Sequence, residues 1–230
     1  MIKLSPSSLS VFKDCPRCFW LDKNQGIKQP RGIFPSLPGG MDRALKVWYD
    51  THRMGKQLPP EIRHLKGSLY TDLPSLEEWR NWRQGMSCKI SDDITLCGAV
   101  DDAFVEPDGS FSPLDYKTRG SAPKADAPDY YGHQLNIYAL FFQENGFKVS
   151  GKAYLAYYWQ SSVLGHETFD GGVTNTIFGF NCQIEKKEAD PEAAIDLALR
   201  AGACLKEEIP EHAPSCEYCG YFKDLTGYSQ

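Results

Sequence analysis

Three consecutive residues, Asp115, Tyr116 and Lys117, hold the densest chemistry in this sequence. They lie in Ser112-Pro113-Leu114-Asp115-Tyr116-Lys117-Thr118, which Leu114 and Tyr116 mark as a strand. Side chains alternate along a strand, so Asp115 and Lys117 project from one face. A carboxylate and an ammonium held side by side on a rigid element can bind a divalent cation and position an attacking water.

The element that must face this strand precedes it. Ile94–Val105 is expected to be a strand, and Pro107-Asp108-Gly109-Ser110 a turn. A hairpin folded about Asp108 pairs residues whose numbers sum to 216, which sets Asp101 opposite Asp115. A turn centred half a residue later would put Asp102 there instead. Adjacent carboxylates repel unless a cation lies between them, and hard oxygen ligands suit magnesium or manganese. An Asp-x-Lys triplet alone is more often a hairpin facing water. The paired acid and the features below reverse that balance.

Other elements frame the hairpin. Ser5 with Pro6 is expected to start a helix that ends near Cys15-Pro16-Arg17-Cys18, with Phe19, Trp20 and Leu21 as an anchor after it. Residues 26–40 are expected to be a Gly- and Pro-rich loop, followed by a helix from Met41 to Arg53. A second helix is expected over Ser75–Gln84, capped by Ser75 with Glu78, then a strand at Ser87–Ser91. A loop over 119–128 leads to a helix from Tyr130 to Glu144 that stops at Gly146. Strands at Lys148–Gln160 and Thr174–Lys186 and a helix over Glu192–Lys206 complete the pattern. On the Tyr130–Glu144 helix, Gln134 and Tyr138 stand four apart and share a face. Gln can reach a phosphate, a base edge or the attacking water, and Tyr can stack on a base or bond a phosphate. The alternative is a core tyrosine beside a solvated glutamine.

Composition narrows the class. A chain of 230 residues, 41% hydrophobic and 24% charged, is ordinary for a globular protein able to bury a core. No apolar run reaches the length of a membrane span, and Met1-Ile2-Lys3-Leu4-Ser5-Pro6 has no apolar signal core, so a cytoplasmic protein without membrane partners is expected. The net charge of −5 is uneven: residues 1–70 carry twelve Lys/Arg against five Asp/Glu, +7, leaving −12 for the remainder. A basic portion facing an acid cluster suits phosphate binding beside a metal.

The ordered set, an acid in an early helix, Gly98-Ala99-Val100-Asp101, Asp115-Tyr116-Lys117 and Gln134-x-x-x-Tyr138, resembles the PD-(D/E)XK nuclease superfamily in its RecB-like branch. That branch includes the CRISPR-associated RecB-like iron–sulfur exonucleases. The resemblance implies an α/β, restriction-endonuclease-like core, a mixed β-sheet flanked by helices. It implies a magnesium- or manganese-dependent deoxyribonuclease acting on DNA ends or single strands in repair, recombination or CRISPR-type processing. Asp101, Asp115 and the Tyr116 carbonyl would hold the ion. Lys117 would orient or deprotonate the water, and Gln134 and Tyr138 would handle DNA or water. The family usually has a His in the early helix; Asp42 stands at the matching position here. It is otherwise readable as a helix N-terminal acid. No Walker-type phosphate loop is present, so a helicase would be a separate partner, as would any CRISPR or recombination protein.

Eight cysteines in a cytoplasmic chain argue for metal ligands and buried thiols. Cys15-x-x-Cys18 and Cys216-x-x-Cys219 are two chelating pairs that together complete a four-thiolate site. The resemblance implies a 4Fe–4S cluster stapling the two ends of the chain; the ligand set itself equally accepts zinc. Related iron–sulfur nucleases usually place one Cys before the core and three after, whereas Asp224 stands here where a last Cys would fall. One nuclease domain over 1–230 is expected, with 41–204 as its core and 1–40 and 205–230 as the cysteine-rich part. Cys88, Cys97, Cys182 and Cys204 are expected in the core, with Cys204 also the one alternative ligand, and His133 is expected at a solvated helix position from which it could approach DNA. Two other functions fit the same residues: a non-catalytic nucleic-acid-binding scaffold, and a sequence-specific endonuclease.

Overall fold

The computed structural model describes residues 1–30, 32, 36–124, 127–169 and 173–227. The hairpin organises it. Strands β5 (Asp102–Val105) and β6 (Phe111–Arg119) pair antiparallel with Asp102 opposite Leu114 and Val105 opposite Phe111. That register sums to 216, as expected, and Gly109 takes the left-handed φ of +78° the turn needs. Helix α5 (Ala127–Glu144) then carries the chain across to β7 (Lys152–Phe169), which lies parallel to β6, and β8 (Val173–Glu188) returns antiparallel. With β2 (Ser68–Leu69) on the far edge, the order is β2-β5-β6-β7-β8, a mixed sheet with one βαβ crossover.

Alternation along β6 and β7 gives this sheet two different faces. Leu114 and Tyr116 with Tyr154, Ala156 and Tyr158 pack on Leu45 and Tyr49 of helix α3 (Ser36–Met54). Ala153, Leu155 and Tyr157 pack instead on Leu135 and Ala139 of α5. The other side of α5, with Ile137, Leu140 and Phe141, enters the largest core cluster beside Leu4, Leu9, Phe19 and Leu96. The fold is therefore α/β, mixed sheet flanked by helices.

Several boundaries differ from the sequence reading. Ile94–Val105 is two strands in two sheets: β4 (Ile94–Gly98) lies between β1 (Ile2–Leu4) and β3 (Met86–Lys89), and only β5 joins the central sheet. The chain leaves β4 where Pro6 crowds Gly98, so closely that a Cβ there would lie 2.8 Å from the proline ring. Past that point the Val100 amide donates to the Trp79 carbonyl. Helix α1 (Pro6–Asp14) has the expected Ser5 cap, but Pro16 opens a second helix, α2 (Pro16–Gln25), because proline fits a first turn as well as it ends a helix. Residues 36–40 are the first turn of α3, not loop; part of the expected loop lies outside the described residues, as do residues 125 and 126 of the next one. Helix α4 (Leu73–Arg80) is capped by Asp72, which takes the Ser75 amide, so Ser75 is inside the helix. Helix α6 (Pro191–Cys204) is capped by Asp190, and the tail forms a further helix, α7 (Glu217–Gly227).

Candidate active site

Asp115 sits on β6 with no exposed surface, facing α5. Neither of its carboxylate oxygens has a well-directed hydrogen-bond donor, although Lys117 Nζ lies 2.6 Å from Oδ2. Burial pushes the Asp115 pKa up, Lys117 pulls it down and Asp101 adds to the rise, leaving it near 7. Asp101 lies just before β5, in line with Asp115 by the register of the hairpin. Burial opposes the Asp101 carboxylate, but Lys46 and Lys117 outweigh it and its pKa falls.

Lys117 is fixed from three sides. Its ammonium contacts Asp115, donates to Gln134 Oε1 at 3.0 Å and lies 4.7 Å from the centre of the Tyr131 ring. Gln134 Nε2 then donates to the Tyr138 hydroxyl at 2.5 Å. The helical spacing of Gln134 and Tyr138 thus continues a line of polar contacts from Lys117 into the α5 interface. Burial lowers the Lys117 pKa, but Asp115 and Asp101 more than offset it, so the ammonium stays protonated.

Asp42 reaches the same place from α3, but through a residue the sequence reading passed over. Lys46, one turn on, binds Asp42 Oδ2 at 2.9 Å and Asp101 Oδ1 at 3.1 Å. Burial works against this ammonium, yet Asp101 and Asp42 raise its pKa. The i,i+4 spacing to Asp42 was the available signal.

Asp102 and Tyr116 point to the opposite face. Asp102 is fully buried, with Arg53 Nη2 2.5 Å from each of its oxygens and Arg80 Nη2 at 3.2 Å. The Tyr116 hydroxyl donates to Asp102, and Asp50 takes Arg80 Nη1 at 2.7 Å as well as Arg53. Arg80 Nε also donates to the Asp101 carbonyl at 2.7 Å. This network was not read from the sequence, because its members come from four separate elements. His133 is held by Ser10 Oγ at 2.7 Å, and burial followed by the charge of Lys13 lowers its pKa to about 4.

The cysteine pairs meet. Cys15 and Cys18 open α2, Cys216 and Cys219 open α7, and their sulfurs all lie within 4.8 Å of one another. Helix N-termini favour thiolates. Burial pushes the Cys15 thiol up, but backbone hydrogen bonds at Cys18 and Ala213 bring it to about 7; burial raises Cys18 and Cys219. Three sulfur pairs lie 3.6, 3.6 and 3.9 Å apart. A tetrahedral ion with metal–sulfur bonds of about 2.3 Å requires sulfurs about 3.8 Å apart. Cys88 is buried in β3 as expected, whereas Cys97 in β4, Cys182 in β8 and Cys204 at the end of α6 are only half-buried, and Cys204 is not one of the four. Among the described residues this is the one group of three or more His, Cys, Asp or Glu gathered closely enough to hold an ion. Asp42, Asp101 and Asp115 are not gathered in that way.

A family model described as the PD-(D/E)XK nuclease superfamily matches residues 41–223. The chain belongs to that superfamily. The matched span covers Asp42, Lys46, Asp101, Asp115, Lys117, Gln134 and Tyr138, together with Cys216 and Cys219, and leaves Cys15 and Cys18 before it. Superfamily membership makes the chain a nuclease by kinship, of a class that usually works with divalent metal. A solved structure titled "Crystal structure of SSO0001" aligns over 94% of this chain and 82% of its own, at 14% identity and a TM-score of 0.43. No curated protein matches. Among the described residues no helix is long and apolar enough to cross a membrane.

Proposed function

We propose that this protein is a magnesium- or manganese-dependent deoxyribonuclease of the RecB-like branch, cutting DNA from ends or in single strands. Repair, recombination or CRISPR-type DNA processing is its setting, with any helicase a separate partner. The observation that carries the reading is Asp115: a fully buried carboxylate without well-directed donors, 2.6 Å from a lysine and beside a second acid. Such a group is costly to keep unless a cation compensates it. Oxygen donors from Asp101, Asp115 and the Tyr116 carbonyl fit a hard divalent ion, with Asp42 at the rim.

When bound, the ion supplies Lewis-acid polarisation and a more acidic water. Lys117, held protonated, orients the water and neutralises charge growing on the phosphate; its raised pKa favours this over proton abstraction. Gln134 fixes the ammonium and Tyr138 fixes Gln134. At the cysteine site the branch assignment favours a 4Fe–4S cluster, while the sulfur spacing favours a single ion such as zinc, since a cube holds its cysteines on separate corners.

End-labelled linear single-stranded, linear double-stranded and circular DNA, each with magnesium or manganese, with EDTA, and with Lys117→Ala, test the proposal. Metal-dependent cutting of linear strands, sparing of circles, and an inert variant that still binds DNA are expected. Cutting of circles would replace the exonuclease reading with an endonuclease. DNA binding without cleavage under either metal would leave a binding scaffold.

A further inference from the structure

Lys46 of α3 is the second lysine of the site. Its ammonium lies between two carboxylates, 2.9 Å from Asp42 and 3.1 Å from Asp101, so the acids that would share an ion with Asp115 are held apart by an amine. We propose that Lys46 is an exchangeable internal cation: a divalent metal takes its place between the acids, and the released side chain turns to the phosphate of the bound strand. This rests on the nuclease reading above.

Three observations favour it. First, Lys117 has a hydrogen bond to Gln134 and a ring contact besides its acid, whereas the ion-pair partners of Lys46 are carboxylates that a metal would claim. Second, the exchange has room. The Lys46 side chain is 21% exposed and Asp42 is 39% exposed, so a compact ammonium on a flexible stem can leave toward solvent without opening the core. Third, the charges fit. With three carboxylates ionised and two ammoniums present the site carries one net negative charge, the wrong sign for a phosphodiester. A divalent ion reverses it, and Lys46 then has a phosphate to meet.

The test is amine acylation read by mass spectrometry on the full chain, with and without manganese, in wild type and in Asp115→Asn. A manganese titration of wild type and Lys46→Met, followed by electron paramagnetic resonance, accompanies it. Acylation of Lys46 should rise several-fold with manganese in wild type and stay low in Asp115→Asn. Removing a cation about 3 Å from two ligands should tighten manganese binding by about tenfold or more in Lys46→Met, while the KM for DNA rises. Unchanged acylation of Lys46 under saturating manganese would overturn the exchange and leave the nuclease reading standing, as would equal affinities in the two proteins. A wild type that neither binds manganese nor cuts DNA would overturn both.

Discussion

Arg80 donates through Nε to the main-chain carbonyl of Asp101 at 2.7 Å, so the outer acid of the site is held by its backbone from the opposite face of the sheet. The same guanidinium binds Asp50 and Asp102. Truncation to Arg80→Ala leaves two acids short of a partner, one fully buried, and should cost about 3 kcal/mol. That lowers the unfolding midpoint by on the order of 10 °C. Arg80→Lys keeps charge but not the planar fork. It should hold more stability than alanine yet lose about tenfold in kcat, as measured by melting and steady-state cleavage together.

Gln134 is the link between Lys117 and Tyr138. Gln134→Ala frees the ammonium to choose its own position, and kcat should fall about tenfold to a hundredfold with little change in melting. Tyr138→Phe removes only the far end of the line and should cost less. Equal losses in both variants would mean that the hydroxyl meets substrate directly.

Asp115 makes the protein's stability and its metal affinity run in opposite directions with pH. Its folded pKa near 7 lies above the ordinary 3.8, so between these values the folded state binds more protons than the unfolded one. Stability from this group is full below the lower value and is lost as pH rises through 7. Asp101, with a lowered pKa, contributes in the opposite sense, its stabilisation lost as pH falls. Metal affinity should climb up to about pH 7, with proton release on binding that calorimetry in two buffers detects. In Asp115→Asn the downward stability slope between pH 4 and 7 should disappear.

Each cysteine of the stapled site should matter to melting and to metal content alike. Cys18→Ser should reduce bound metal to substoichiometric levels and lower the midpoint by about 10 °C. Serine at Cys204, outside the cluster, should leave the metal in place. Elemental analysis separates iron from zinc, and brown colour with visible absorbance would accompany iron.

Much of the site was legible because it depends on local periodicity. Asp115 and Lys117 share a face by strand alternation, the hairpin register followed from a turn at Asp108, and Gln134 and Tyr138 follow from a helical turn. What escaped depends on tertiary contact. Gly98, Ala99, Asp101 and Asp102 are weak strand formers that hint at a break in Ile94–Val105, but that the chain changes sheets there depends on Pro6 and Trp79 packing alongside. Pro38, Gly39 and Gly40 disguised the first turn of α3, and Pro16 read as a stop where it is a start. Arg53, Arg80 and Asp50 look like surface charges until Asp102 is buried among them.

The cysteine staple also has a consequence in time. Cys18 and Cys216 are 198 residues apart, so during synthesis the first pair is made long before its partners exist. At ribosomal rates of about 5–20 residues per second, that interval is on the order of 10–40 s. Through it two thiols at a helix start stand open to any soft metal or oxidant. The identity of the metal finally held would then be decided late, by whatever the last pair finds when it arrives.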